Sequence, residues 1–207
     1  SYAFLKDQPV VQMSYSLWYS KRAGKNAPAI ERGPLDGLTI RLTFDSSGDI
    51  VMIDVMNNCG CYHFFIPDSQ KVAKVIRKEH DLEPLVPARL HEGVPQKRIN
   101  PWVNSGWHQV QHVGAASPDN VQAIAYRLVP YAALESLPRE DGSKASVFTP
   151  KGIMKDSWRI EPYIFFSMGI PKVGYMRQRG HHAIKMVGRD HFTNPYLLDD
   201  NFVFTQD

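Results

Sequence analysis

Apolar and polar residues alternate along the first long segment of the chain. Every second residue over 11–19 is apolar, and Gln12, Ser14 and Ser16 lie between these positions. A period of two places successive side chains on opposite faces of a strand. The pattern therefore predicts a strand with one buried face and one polar face.

A second alternation covers residues 38–44 and leads into a hairpin. The segment Asp-Ser-Ser-Gly follows at 45–48, and residues 50–56 are again mostly apolar. Two strand-like runs joined by a short turn that contains glycine are typical of antiparallel neighbours. We therefore predict that these two runs pair as a β-hairpin.

The strongest helical pattern begins at residue 68. Asp68 or Ser69 is a suitable N-cap, and Val72, Val75 and Ile76 are spaced as an apolar stripe on one helix face. Basic residues occupy the other positions as far as residue 78. The spacing predicts a surface helix over 68–78.

The rest of the chain shows shorter patterns. Four prolines over 84–101 predict a long loop, and β structure is predicted at 107–113 and 123–129. Residues 131–137 predict a helical turn, and residues 163–168 form an apolar stretch. Together these patterns predict a single α+β domain over 1–207, with a mainly antiparallel β-sheet, a few short helices and long loops rich in proline and glycine.

Composition excludes several classes of protein. The chain has 24 Lys and Arg against 21 Asp and Glu, a net charge of +3, and 43% apolar residues, which argues against intrinsic disorder. No apolar run approaches the roughly 18 residues of a transmembrane helix. Two cysteines exclude a disulfide framework. A nucleic-acid partner is not expected, since the one basic segment lacks interleaved aromatic residues and no phosphate-binding loop is present.

The most informative motif is Asn-Asn-Cys-Gly-Cys-Tyr-His at 57–63. If the strand over 50–56 continues, Cys59, Cys61 and His63 lie on the same face. Thiolates and imidazoles bind Zn²⁺ or copper, and Gly60 allows the bend that brings both sulfurs to one ion. The motif therefore predicts a Zn or Cu site of unknown reaction.

Other histidines are candidates for completing the metal site. His108 and His112 share a face in either a strand or a helix, and the C-terminal cluster contains His181, His182 and His191. One histidine from these clusters would complete a set of four ligands with Cys59, Cys61 and His63. We expect the ligand to come from His108, His112 or His182, or from the rest of the C-terminal cluster.

Two alternatives to metal binding remain open. The first is a metal-free thiol enzyme, either a redox-active pair of Cys59 and Cys61 or a hydrolase in which one cysteine is the nucleophile and a histidine is the base. The second is a non-catalytic accessory or binding module. In that case the cysteines and histidines are structural, and the aromatic residues form a surface for a protein partner.

Several blocks of the sequence resemble a family of conserved hypothetical bacterial proteins. The blocks are Asn-Cys-Gly-Cys-Tyr-His-Phe-Phe at 58–65, Leu-Asp-Gly-Leu-Thr at 35–39, residues 131–138 and residues 168–192. The resemblance covers most of residues 10–202, and it implies no particular activity or cofactor. It implies a longer protein, of which this chain would be the C-terminal part. The compartment is left open by the sequence, with an extracytoplasmic location in the bacterial envelope slightly favoured. Arg179 departs from the family pattern, which has an aromatic residue there.

Overall fold

The computed structural model describes residues 2–76, 84–90, 99–115, 127–170, 173–178, 180–182 and 188–205. These residues form mainly antiparallel β-sheet with a few short helices, which agrees with the predicted α+β class. In the described part of the chain, none of the helices is long and apolar enough to cross a membrane.

Strands make up most of the first 145 residues, and the α-helices lie near the C-terminal end, followed by a last short strand. The strands are β1 (Tyr2–Leu5), β2 (Gln8–Arg22), β3 (Gly33–Phe44), β4 (Ile50–Asn57), β5 (Phe64–Pro67), β6 (Val72–Val75), β7 (Ile99–Val103), β8 (Val110–Ala115), β9 (Leu137–Pro138), β10 (Lys144–Ala145) and β11 (Phe202–Phe204). The α-helices are α1 (Glu161–Phe165), α2 (Gly188–Thr193) and α3 (Leu197–Asn201). Single turns of 3₁₀-helix lie at Ala29–Glu31, Tyr131–Glu135 and Phe166–Met168.

The central sheet is an antiparallel meander in the order β1-β2-β3-β4-β5. The strand predicted over 11–19 lies within β2 and is confirmed, and so is the hairpin of β3 and β4. The predicted burial of the apolar face of β2 is wrong at the first positions, where Val11 and Met13 are exposed and Gln12 is buried. Tyr15 pairs with Ile40, and Ile40 pairs with Val55. This register places the apolar residues of three adjacent strands on the same face of the sheet.

The two faces of the sheet are covered by different parts of the chain. On one face, Leu38 and Ile53 pack with Val113 of β8 and with Leu90. On the other face, apolar residues of β4 and β5 pack with Leu198 and the residues around it in the C-terminal segment. Leu198 and the residues around it, here called the C-terminal segment, therefore cover the face of the sheet on which the alternation over 11–19 places the polar residues.

The helix predicted over 68–78 is wrong in its described part. Residues 72–75 form β6, which pairs with β11, and Val72 is fully buried in the core below it. Asp68 does act as a cap, but its carboxylate accepts the backbone N–H groups of Gln70 and Lys71 in a turn. A short run rich in β-branched residues is ambiguous, and pairing with a distant strand decides its conformation.

The shorter predictions have mixed outcomes. The helical turn predicted over 131–137 is confirmed as the 3₁₀ turn Tyr131–Glu135, whereas β structure near 107–113 begins only at Val110. The apolar stretch at 163–168 belongs to α1 and the 3₁₀ turn after it. Most of the strand predicted at 123–129 lies outside the described residues, and residues 127–129 form no regular element.

Candidate functional site

The Cys-Gly-Cys motif forms a turn between β4 and β5, which we call the cysteine turn (residues 57–63). The prediction that β4 continues through this motif is wrong, because β4 ends at Asn57. Gly60 has a φ of +88° and donates its N–H to the Asn57 carbonyl at 2.8 Å. This left-handed conformation favours glycine and reverses the chain. The side chains of the turn therefore radiate in different directions instead of sharing one face.

The two thiols occupy one side of the cysteine turn. Cys59 is 8% exposed and packs against Phe148, Met154 and Met176. Cys61 is half-buried beside the same cluster, and both cysteines are free thiols. A hydrogen bond from Cys61 lowers the pKa of Cys59, burial opposes this, and the charge of Arg22 lowers it further. The same contact and burial raise the pKa of Cys61 well above its usual value.

Cys59 interacts electrostatically with three guanidinium groups, those of Arg22, Arg159 and Arg177. The carboxyl groups of Glu161 and Asp36 act in the opposite sense and raise the pKa of Cys59, but its pKa is lowered on balance. All three arginines are at least nine-tenths buried. A cationic environment favours a thiolate over a thiol, and a thiolate is the nucleophilic form of cysteine. The site therefore contains one cysteine suited to attack and a second cysteine in contact with it.

Arg22 is held in place by two buried carboxylates. Its Nε and Nη2 donate to Asp36 at 2.9 and 3.0 Å, and its Nη1 donates to Glu31 at 2.6 Å. Glu31 also accepts hydrogen bonds from Tyr62 of the cysteine turn and from Trp107. The bidentate pairing with Asp36 fixes the plane of the guanidinium group near the thiols.

Asp36 also binds a histidine that was predicted as a metal ligand. Its Oδ2 lies 2.6 Å from His108 Nδ1, and Tyr19 stacks on the His108 ring with 3.8 Å between ring centroids. His112 points elsewhere, because it is exposed and lies beside Trp102 on the neighbouring strand. The structure therefore does not bring His108 and His112 together.

Glu161, at the start of α1, is a buried carboxyl near both thiols. Burial and the nearby charge of Glu31 raise the pKa of Glu161 to about 7. A Cβ at Gly174 would collide with the Glu161 carboxylate, so glycine is required at this close approach. A carboxyl that titrates near neutral pH can both accept and release a proton. Glu161 is therefore suited to proton transfer at this site.

His63 lies on the opposite side of the cysteine turn, away from the Cys59 cluster. Its Nε2 is 2.6 Å from Asp54 Oδ2, and its Nδ1 is 2.6 Å from His191 Nδ1. Asp54 also accepts hydrogen bonds from Arg41 at 2.8 and 2.5 Å. Because a carboxylate only accepts, His63 donates Nε2–H to Asp54 and accepts Nδ1–H from His191.

Burial keeps His63 and His191, the two histidines of this hydrogen-bonded series, neutral. It lowers the pKa of His63, and together with the charge of His63 it lowers the pKa of His191 to about 4. Burial alone would raise the pKa of Asp54, but Arg41 and His63 lower it to about 2. At neutral pH the hydrogen-bonded series of Asp54, His63 and His191 therefore consists of one carboxylate and two neutral imidazoles.

A cavity of ≈ 210 Å³ adjoins the turn at Asn58. It lies between the polar face of β2 and β3 and the C-terminal segment. Its lining residues are Ser14, Ser16, Thr39, Asn58, Tyr131, Arg177, His182 and Phe192. His182 stacks on Phe192 with 3.9 Å between ring centroids, and its Nε2 lies 3.1 Å from the Asn58 carbonyl oxygen.

The predicted metal ligands are thus distributed over separate environments. Cys59 and Cys61 contact each other, His63 is hydrogen-bonded to Asp54, and His108 contacts Asp36. Among the residues that the structure describes, no group of three or more His, Cys, Asp or Glu side chains is placed to hold a metal ion. The Zn or Cu site stays a prediction.

Sequence reasoning missed the buried charges that surround the turn. Arg41 and Asp54 each interrupt an otherwise apolar or uncharged strand pattern, and both are nearly inaccessible to solvent. A charge inside a buried strand is a signal of a paired network. Asp36 and Glu161 carry no comparable signal in the sequence, because each lies beside glycine or proline in segments of mixed polarity.

Comparison with known proteins adds no homologue: the chain matches no family model, no curated protein and no solved structure. The geometry of the cysteine turn and its neighbours is therefore the basis for a function.

Proposed function

We propose that the protein is a thiol–disulfide oxidoreductase whose redox centre is the pair Cys59 and Cys61. One observation carries this proposal: the two thiols of a single turn adjoin the same buried cluster, and the interaction with Cys61 and the charge of Arg22 lower the pKa of Cys59. A dithiol in this arrangement is suited to exchange two electrons with a disulfide. Because Cys59 is only 8% exposed, the substrate is a small disulfide.

The proposed reaction is two successive thiol–disulfide exchanges. The Cys59 thiolate attacks one sulfur of the substrate, the substrate S–S bond breaks, and one thiolate leaves. Cys61 then loses its proton and attacks the Cys59 sulfur of the mixed disulfide, which releases the second thiolate and forms the Cys59–Cys61 bond. Two electrons pass from the protein dithiol to the substrate disulfide. A small dithiol returns the protein to its reduced state by the reverse sequence.

Glu161 and Arg22 have different roles in this reaction. Arg22 stabilises the attacking thiolate by its charge, since it lowers the pKa of Cys59. Glu161, whose carboxyl titrates near neutral pH, accepts the proton that Cys61 loses before the second exchange. The high pKa of Cys61 in the reduced pair makes such a proton acceptor necessary.

Oxidation with glutathione disulfide tests the proposal. We expect the wild-type protein to lose the mass of two hydrogen atoms and to gain no glutathione. The variant Cys61→Ser should instead accumulate a mixed disulfide on Cys59, because no second thiol resolves it. The variant Cys59→Ser should react slowly, since Cys61 lacks the stabilised thiolate. Mass spectrometry of the intact protein distinguishes these products.

A reference thiol calibrates the reactivity of Cys59. The variant Cys59→Ser/Cys61→Ser/Ser136→Cys carries a single cysteine at an exposed position. In the variant Cys61→Ser the serine hydroxyl can still donate a hydrogen bond to Cys59, and the charge of Arg22 is unchanged. We therefore expect Cys59 in this variant to reach full ionisation at lower pH than the reference cysteine, measured by the ultraviolet absorbance of the thiolate. Absence of an intramolecular disulfide in the oxidised wild-type protein, or equal ionisation of the two thiols, would contradict the proposal.

Metal binding is a second proposal, supported by a different observation. The Nδ1 atoms of His63 and His191 lie 2.6 Å apart, and a metal ion bound to both would displace the proton that they share. Asp54 orients His63 from behind, as a carboxylate does behind a ligating histidine. Elemental analysis for zinc and copper tests it in the native protein and in the variants His63→Phe, Cys59→Ser and Cys61→Ser. A native protein that carries neither metal and takes up neither would refute it.

A further inference from the structure

The segment 157–170, which contains α1 and the 3₁₀ turn after it, has its polarity reversed. The structure describes all of these residues, and the two that carry a charge, Arg159 and Glu161, are both buried. Six large apolar side chains are instead exposed by 43–72%: Trp158, Ile160, Tyr163, Ile164, Phe166 and Met168. A surface helix normally buries its apolar side and exposes its charges. We call these six side chains the apolar patch.

Contacts with the body of the protein explain why the two charged side chains point inward. Arg159 Nη2 donates to the Leu35 carbonyl oxygen at 2.6 Å and forms an ion pair with the buried Asp36 at 3.4 Å. Glu161 lies against Gly174, where a Cβ would collide with its carboxylate. The charged side chains thus occupy inward positions of this short segment, and the apolar ones are left on the outside.

The apolar patch is large enough to form one side of a protein–protein interface. If a fully exposed side chain of this size has roughly 200 Å² of surface, the exposed fractions correspond to about 700 Å². A standard stable interface buries about 800 Å² on each partner, whereas the largest apolar patch of a typical monomer is about 300–600 Å². The patch therefore exceeds what a monomer normally exposes, and it provides most of the area that a stable dimer needs.

The composition of the patch favours a second copy of this chain as its partner. Aromatic residues and methionine are enriched at the buried core of protein interfaces, charged residues are depleted there, and homodimer interfaces are the more apolar ones. The partner surface must also be uncharged, since a charge buried against the patch would have no counter-ion. A twofold axis through the patch places the same uncharged surface opposite it.

We propose that the protein forms a symmetric dimer in which the apolar patch of one protomer packs on the same patch of its partner. Tyr163 and Phe166, the most exposed side chains of the patch, provide the largest part of the buried area. The inward side chains Arg159 and Glu161 of the same segment interact with Cys59. The dimer interface therefore covers the outer side of a segment whose inner side belongs to the thiol site.

Sedimentation equilibrium in the presence of a reductant measures the oligomeric state without intermolecular disulfides. We expect the wild-type protein to have twice the monomer mass at micromolar concentration. The variant Tyr163→Ser/Phe166→Ser should raise the dimer dissociation constant by at least about a hundredfold, because aromatic side chains at the centre of an interface carry most of its binding energy. Both residues are exposed, so the far-ultraviolet circular dichroism should be unchanged. The single variant Met168→Lys, which places a charge in the interface, should also be monomeric.

The variant Tyr2→Ser/Val11→Ser is the matched control. It replaces two exposed apolar side chains that are paired between β1 and β2. Val11 lies eleven residues before Arg22 on β2, which corresponds to roughly 35 Å along the strand. Arg22 pairs with Gly33, which adjoins Trp158 of the patch. The control substitutions are therefore far from the patch and should leave the dissociation constant unchanged.

Other occupants of the patch give different results in the same experiment. A wild-type protein that is monomeric at this concentration would overturn the proposal, and so would a dimer that persists in both patch variants. Sedimentation with vesicles of phosphatidylcholine and phosphatidylglycerol tests a lipid surface instead. If the monomer binds these vesicles and Tyr163→Ser/Phe166→Ser does not, the patch is covered by lipid and the dimer proposal fails.

The dimer does not depend on the proposed redox reaction. Neither cysteine belongs to the apolar patch, so the variant Cys59→Ser/Cys61→Ser should keep the wild-type dissociation constant. If the thiols prove inert while the patch variants dissociate as expected, the oxidoreductase proposal fails and the dimer stands.

Discussion

The two ends of β4 lead into turns of opposite character. The turn before β4, residues 45–49, is largely exposed and joins two strands of the same hairpin. The turn after β4, the cysteine turn at 57–63, is mostly buried and contacts segments from both halves of the chain. Both reverse the chain at a glycine with φ close to +88°. The backbone conformation of a turn therefore does not determine its role.

The turn at 45–49 is stabilised by its own residues. Asp45 Oδ1 accepts the N–H groups of Ser47 and Asp49 at 3.0 and 2.9 Å, and Gly48 donates to the Asp45 carbonyl at 3.1 Å. Lys71 forms ion pairs with Asp45 and Asp49 at the surface. Local hydrogen bonds of this kind are encoded in four or five consecutive residues.

The cysteine turn depends on partners that are distant in the sequence. His63 contacts His191, 128 residues away, and the Asn58 carbonyl contacts His182, 124 residues away. On the other side of the turn, Tyr62 contacts Glu31. A turn held by distant groups places its side chains in environments that no local rule defines, and such environments alter pKa values and reactivity.

The two ends of β4 should differ most in the free energy of unfolding that is lost when one carboxylate near each end is replaced. Asp54→Asn leaves Arg41 buried without its counter-ion, which we expect to cost about 3–5 kcal/mol in the free energy of unfolding. Asp45→Asn removes a partly exposed ion pair and should cost about 1 kcal/mol or less. Urea denaturation at neutral pH measures both, and losses of equal size would contradict the contrast between the two turns.

Replacing each of the two turn glycines by alanine shows how much tertiary contacts add to the loss of stability. Gly48 and Gly60 have φ of +87° and +88°, so the backbone strain of alanine is the same at both. A Cβ at Gly48 meets open space, whereas at Gly60 it lies 3.1 Å from the Cα of Gly188 and 3.2 Å from His182. We expect Gly60→Ala to cost about 1–3 kcal/mol more than Gly48→Ala.

Gly142→Ala serves as a second reference for this pair. Its φ is +80°, and a Cβ there also meets nothing within 4 Å. Its thermal midpoint should fall by the same amount as that of Gly48→Ala. If Gly60→Ala were no more destabilised than these two variants, the close packing of the cysteine turn would be refuted.

Mild acid should reduce the stability contribution of His182 but not that of Asp45 in the turn at 45–49. Burial lowers the pKa of His182 from 6.5 to about 3, so its stability contribution is present above pH 6.5 and is lost as the pH falls through this window. At pH 5.5 the loss relative to pH 7 is about 1.2 kcal/mol. The pKa of Asp45 is about 2, because hydrogen bonds from Lys71 and Ser47 outweigh burial, so its contribution is lost only below pH 3.8.

The variant His182→Phe isolates this effect from the other groups that titrate. Glu161 has a raised pKa of about 7, so its stability contribution is present below 4.5 and is lost as the pH rises, which opposes the histidine effect. The difference between wild type and His182→Phe in the change of unfolding free energy from pH 7 to 5.5 therefore reports His182. A difference close to zero would show that His182 is not a neutral buried histidine.

The sequence predicts the central sheet well, because strand periodicity and turn residues act locally. The strand over 11–19 and the hairpin of β3 and β4 are confirmed on this basis. The helix predicted over 68–78 is wrong because the alternative, pairing of β6 with β11, joins residues more than a hundred positions apart. Short apolar runs do not distinguish these outcomes.

For the site, the sequence predicted chemistry at the Cys-Gly-Cys-Tyr-His motif, and the structure places three different environments around that motif. Cys59, Cys61 and His63 do not lie on one face of a strand as expected, because β4 ends at Asn57 and the chain reverses at Gly60. Arg22, Glu161 and Arg177, which define the electrostatics of the thiols and of the cavity, lie far from the motif in the sequence.

The sequence by itself determined the candidate residues of the proposed reaction, the strands that pair locally, and the glycine that turns the chain between them. These features depend on side-chain chemistry and on backbone preferences within a few residues. Only the tertiary structure decided which charges surround each side chain, because burial and distant partners set pKa values and binding geometry. Cys59 therefore acquired its arginine neighbours, and the polar face of β2 its cavity, from contacts that no local pattern contains.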